Sequence, residues 1–242
     1  VPYYAMVSFI IVEQRYMFWQ EQALRDTLFI VAVIGWGLLI SLLVMAPGLV
    51  GFALTAYRYH RSESINLYLA RFIPPALFNL LIDLSRYLLL AVILIGGGVS
   101  YGLVPATLAD KPLAIAVGGL VGGLLVLSLL RRLSFALWSY LFMDKRASKL
   151  LYEDYRTLAA LKALLFIPLT FLALSSVTAV FALYGLVVLM LLTIVLRIWQ
   201  TFSRLGHSFG GYVYIFLYLC THELLPWAYL ALVVFLRRGA LF

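Results

Sequence analysis

Tyr212 to Phe235 is a hydrophobic run long enough to cross a bilayer, yet it carries His222 and Glu223 at its centre and Pro226 just beyond. A charge at bilayer mid-depth costs about 2.5–3.5 kcal/mol on insertion scales. A helix that keeps such a pair is expected to use it on another helix, a partner subunit or a transported ion. Glu223 is the twelfth residue of this 24-residue run, so its carboxylate does not easily reach either face. Pro226 has no amide hydrogen for the carbonyl of His222, so one turn of backbone there needs another partner. Glu223 is therefore either a packing pin or a contact for a partner, ion or substrate.

Other candidate chemistry is thinner. Gly206-His207-Ser208-Phe209-Gly210 fits G-x-S-x-G, but that elbow needs a strand-turn-helix above an oxyanion hole. Here it joins two apolar helices, and Ser208 is followed by one helix where a rhomboid-type protease has its histidine two helices later. The pattern reads as a glycine-rich turn, and no catalytic residue is assigned. His60, His207 and His222 are the only histidines, without H-x-x-x-H or E-x-x-H spacing, so neither a metal site nor a cofactor is expected. Asp83 and Arg86 stand three apart on a helix, with Asn79 one turn earlier. Mutual neutralisation is the ordinary reading. A polar crevice shared with the last helix is the alternative.

Composition sets the class that must position these groups. Of the 242 residues, 65% are hydrophobic and 12% charged, and the mean hydropathy is +1.05. A soluble domain carries roughly twice that charged fraction. The net charge of +8 resides between hydrophobic runs, where it acts on topology and lipid headgroups. No basic soluble module is present to bind nucleic acid. Cys220 is the single cysteine, so no disulfide within the chain forms. Nothing before Val12 reads as a signal peptide.

The expected architecture is an all-α polytopic membrane protein of about six spans. Residues 1–27 are expected to be an extramembrane segment and 28–242 one helical membrane domain. The spans fall near 28–46, 76–101, 113–130, 157–175, 177–196 and 212–236, each close to the ~20 apolar residues a bilayer requires. Pro47-Gly48 marks the end of the first, and Ser175-Ser176 divides the fourth from the fifth.

Lysine and arginine set the expected orientation. The first, third and fifth loops hold twelve: Arg58, Arg61, Arg71, Arg131, Arg132, Lys145, Arg146, Lys149, Arg156, Lys162, Arg197 and Arg204. The other side holds five: Arg15, Arg25, Lys111, Arg237 and Arg238. The positive-inside rule then puts both termini outside the cytoplasm. Residues 133–156 read as an amphipathic segment in the membrane interface, with Lys149 able to pair with Glu153. Arg131, Arg132, Lys145, Arg146 and Lys149 are the candidate lipid or partner contacts. Gly118, Gly119, Gly122 and Gly123 form two overlapping G-x-x-x-G patterns, expected to pack within the bundle.

The string Phe216-Leu217-Tyr218-Leu219-Cys220-Thr221-His222-Glu223-Leu224-Leu225-Pro226 is similar to FLYLCT-x-E-I-L-P. That is the C-terminal signature of a multispan family of Bacteroidota, domain-of-unknown-function family 4271. The aromatic-basic linker at Tyr57 to Arg61, the segment between spans three and four, and Phe166-Ile167-Pro168 at the opening of the fourth also resemble it. Cys220, Glu223 and Pro226 match the signature. His222 stands where the family commonly has leucine, so no role for it carries over. The resemblance implies the inner membrane of a Gram-negative cell and supplies no activity.

The leading functional expectation is a non-enzymatic accessory or scaffold subunit of an envelope-biogenesis or secretion complex, contacting membrane lipids and partner subunits. One rival is a small transporter or proton-coupled channel using Glu223. Another is a membrane enzyme acting on a lipid-linked substrate.

Overall fold

The computed structural model describes residues 2–51, 71–100, 104, 110–175, 177–205 and 213. Among them the chain forms long helices and no strand. The elements are α1 (Pro2–Met45), α2 (Pro75–Ser100), α3 (Asp110–Phe142), α4 (Lys145–Leu174) and α5 (Ala179–Leu205). Each contains a stretch long and apolar enough to cross a membrane, in α1 from Leu24 to Met45. The protein is thus a polytopic helical membrane protein. The expected sixth span, 212–236, lies outside the described residues.

Local sequence explains the helix ends. At the close of α1 the amide of Ala46 still bonds to Leu42 at 3.0 Å. Pro47 then cannot continue the ladder, and Gly48 turns the chain at φ 85°, a conformation glycine adopts without a Cβ clash. Ser175 ends α4 in extended backbone, and Thr178 Oγ1 returns to the carbonyl of Leu172 at 2.8 Å. Both breaks fall where the sequence puts them.

The loop between the third and fourth spans differs from expectation. No helix lies along the interface there: α3 continues to Phe142 and α4 starts at Lys145, with only Met143-Asp144 between. The spans expected at 113–130 and 157–175 are therefore parts of helices of 33 and 30 residues. Their lengths, about 50 and 45 Å, exceed the ~30 Å hydrocarbon thickness. The two helices hold each other at this end through a small separate core in which Phe135, Trp138, Met143, Ala147 and Tyr155 pack on Leu151. The physical reason is burial. Leu151 and Leu158 are buried in protein, so this part of α4 packs within the bundle and does not lie along the interface. Lys149 is exposed and Glu153 buried, so that pair does not form. Lys162 also leaves the loop set, because its ammonium lies inside α4, over the Phe166 ring and 2.9 Å from Met190 Sδ. Pro168, expected near a helix start, is interior to α4.

α2 is the central helix, buried on almost every side and touching all four others. Two of its glycines explain how neighbours come so close. A Cβ on Gly96 would lie 2.6 Å from the carbonyl oxygen of Ala173 in α4, and one on Gly97 2.3 Å from Leu183 in α5. The α3 glycines are different. Leu113, Val117 and Val121 recur every four residues and form its buried stripe. Gly118, Gly119, Gly122 and Gly123 lie round the other side, where an added Cβ meets nothing within 4 Å. The expectation that they pack within the bundle is thus corrected among the described residues, and the packing glycines are those of α2.

Gly96→Ala is expected to destabilise the protein by about 1–3 kcal/mol, because the obstacle is backbone and α2 must move away from α4. Gly118→Ala is expected to leave stability unchanged or slightly raised, since alanine favours helix over glycine. Thermal unfolding of the two variants in the same detergent checks the contrast.

Candidate functional site: a buried polar layer

Polar side chains from α2 to α5 gather at one level, near the end of the bundle where α2 begins. α2 supplies Asp83, Arg86 and Asn79, which its helical spacing lines up on adjoining turns. Asp83 Oδ1 accepts from Arg86 Nη2 at 2.9 Å. Its Oδ2 is ion-paired with Arg132 Nη2 of α3 and also accepts from Ser128 Oγ at 3.4 Å. Arg132 and Ser128 are one turn apart on α3, so both reach the same oxygen. Arg86 Nη2 lies 2.6 Å from the Tyr87 hydroxyl, to which it donates. The side chains of Asp83 and Arg86 are 10% and 11% exposed, and that of Arg132 is 41% exposed.

α4 and α5 complete the layer. Asn79 Nδ2 donates to Tyr152 OH at 3.3 Å. The Arg156 guanidinium sits 4.4 Å from the centre of the Phe78 ring and interacts electrostatically with Glu153 and Arg132. The Tyr155 and Thr201 hydroxyls are 2.7 Å apart, which fixes the register of α4 against α5. Arg197 lies over the Tyr155 ring at 5.4 Å. Glu153 and Gln200 are buried, and among the described residues Oε2 of the first and Oε1 of the second have no hydrogen-bond partner. Arginine dominates here because its planar fork bridges a carboxylate and stacks on aromatic rings at the same time.

The opposite end of the bundle is held differently. Arg25 Nη1 donates to the carbonyl of Leu174 at 2.9 Å. Trp36 of α1 donates to Thr170 Oγ1 at 2.9 Å and stacks on Phe171 with ring centres 4.2 Å apart. Those contacts neutralise no buried acid.

Residues 39–234, most of the chain, match the family described as Domain of unknown function (DUF4271). The chain belongs to that family. No match is found among curated proteins or among solved structures. Of the signature that carries the resemblance, Cys220, His222, Glu223 and Pro226 all lie outside the described residues. The same holds for His60, His207 and Ser208. What this DUF4271 structure describes is the matched region's bundle up to the end of α5.

Asp83 and Arg86 do neutralise each other, and the carboxylate is shared with Arg132, one of the candidate lipid or partner contacts. Lys145, Arg146 and Lys149 are exposed in the first turns of α4, on the tip side of the layer. Sequence reasoning gave Tyr152, Glu153, Asp154, Arg156, Gln200 and Thr201 no place in such a layer. The available signal was their approximate level, about 18 to 22 residues from the far ends of their helices where Asp83 is seventeen from that of α2. Among the described residues no three His, Cys, Asp or Glu side chains come together as metal ligands.

Asp83→Asn removes the carboxylate that Arg86 and Arg132 share and leaves Arg86 buried without that counter-charge. The expected loss is about 3–5 kcal/mol of stability, the usual result of deleting one partner of a buried ion pair. Arg132→Gln should cost less, because that side chain is partly in contact with its surroundings. Comparing the detergent unfolding midpoints of the two variants tests the ranking.

Proposed function

We propose that this protein works by assembly, as an accessory or scaffold subunit of an envelope-biogenesis or secretion complex in a Gram-negative inner membrane. The observation that carries the reading is the outer face of α3. Association between helices in lipid has little hydrophobic driving force, so it depends on close backbone approach at small residues. Gly118, Gly119, Gly122 and Gly123 offer that approach on the side of α3 away from its buried stripe. Large side chains flank the patch, with Ile115 and Val126 exposed beside it. A helix of another subunit fits such a surface. The tip of the α3–α4 hairpin, with Lys145, Arg146 and Lys149 exposed, adds a basic surface beyond the membrane for the same assembly.

Purification of the full-length protein in mild detergent from its native membrane tests this. Stoichiometric membrane partners are expected, and Gly118→Ile with Gly122→Ile should release them while the protein stays folded. A wild-type protein that purifies alone and monodisperse sinks the subunit reading.

The orientation in this reading has the hairpin tip in the cytoplasm, following the excess of lysine and arginine at that end. A reporter inserted between Met143 and Asp144 should then read cytoplasmic, and one placed after Phe242 should read periplasmic. Both reporters on one side would contradict it.

A further inference from the structure

The charge in the α2–α3 part of the polar layer does not balance. Asp83 brings one negative charge to two guanidinium groups, Arg86 and Arg132, and both of its oxygens are already in use. One positive charge is left over. Arg86 is enclosed, whereas Arg132 is paired on one side and 41% exposed on the other, so the surplus is presented by Arg132. Arg156, from α4, has the buried Glu153 as its neighbouring anion and so does not take up Asp83's charge.

Depth identifies what Arg132 meets. Asp83 lies seventeen residues before Ser100, the far end of α2. With Ser100 taken at one boundary, that rise of about 26 Å against roughly 30 Å of hydrocarbon brings Asp83 and Arg132 near the level of the opposite headgroups. The chemical group found there is the lipid phosphate. A guanidinium fixed on one arm by a carboxylate keeps its other donors aligned for a second, bidentate anion.

We propose that Arg132, held in place by Asp83, is a binding site for the phosphate of an anionic lipid headgroup. The role of Asp83 is positioning, and Arg132 is the contact. The proposed contact is Arg132 and not the exposed Lys145, Arg146 and Lys149 nearer the hairpin tip, and it does not depend on the subunit reading.

The test uses the full chain in mild detergent with phosphatidylglycerol or phosphatidylcholine added, reading bound lipid by native mass spectrometry and stability by thermal unfolding. Phosphatidylglycerol is expected to bind and stabilise more than phosphatidylcholine. Arg132→Gln should weaken phosphatidylglycerol binding about five-fold, the equivalent of one surface cation. Replacing Lys145, Arg146 and Lys149 together by glutamine should leave the selective binding in place. If Arg132→Gln does not fold, Arg132→Lys keeps a charge for Asp83 without the second arm and should also lose most of the selectivity. Equal binding of both lipids overturns the proposal, as does full selectivity in the foldable Arg132 variant or loss of selectivity in the triple variant alone. Sodium phosphate without lipid is the remaining arm. If it reproduces the stabilisation, the anion is free phosphate and the lipid assignment fails.

Discussion

A carboxylate within an apolar bundle has to be matched by cations, and Asp83 meets that constraint by drawing on two helices at once. Arg86 comes from its own helix and Arg132 from α3, with Ser128 as a third donor. This fixes the rotation of α3, because only one face of that helix presents Arg132 and Ser128 together. The same rotation buries Leu113, Val117 and Val121 against the core and turns the four glycines outward. One buried acid thus determines which side of α3 is available.

The two ends of α2 use different physics to hold neighbours. Near Ser100 the helix brings glycines, and close backbone approach lets α4 and α5 pack by dispersion. Near Pro75 it brings charge and amide groups, and neighbours are held by directed bonds. Directed bonds tolerate solvent and headgroups, while close apolar packing requires the dry interior. In α2 the directed bonds gather toward the Pro75 end and the glycine contacts toward the Ser100 end. Ser85 links the two regimes, donating to the carbonyl of Gly35 in α1 at 3.0 Å. The Cβ-free face of Gly35 sits against Leu88 and Leu89.

Much of the fold was legible in the sequence and the candidate site only in part. Five of the expected spans, in order, followed from hydrophobic runs, and Pro47-Gly48 and Ser175 ended helices as their backbone chemistry requires. The boundary between α3 and α4 was misread because hydropathy falls wherever charges appear, whether those charges face water or one another. Glu153, Asp154 and Arg156 lowered the apolar score of a segment that is nonetheless buried helix. The Asp83–Arg86 pair was visible because it is local, at i and i+3. Arg132 was not, since 49 residues separate it from Asp83 and nothing in one sequence links them. The glycine patterns failed as guides for a related reason: G-x-x-x-G shows that a helix permits close approach and is silent on which neighbour approaches.

That last point bears on how α3 behaves. Among the described residues it is tied by the ion pair and hydrogen bond to Asp83, by one apolar stripe and by Phe135 and Trp138 in the small core at the hairpin end, while much of its remaining surface is exposed. A helix pinned by polar contacts near one end keeps its register while its opposite face remains open along the span. Had the glycines faced α2, α3 would have been locked into the bundle and the outer surface would have been an ordinary lipid-facing row of leucine and valine. With the charges inward and the glycines outward, the fold spends its directed interactions on orientation and leaves the close-approach surface exposed. The arrangement suits a helix that must hold one rotation while a second helix docks beside it. It also explains why the glycines can be absent from the internal core at no cost to it: the core of α3 is carried by Leu113, Val117 and Val121, none of which touches the open face.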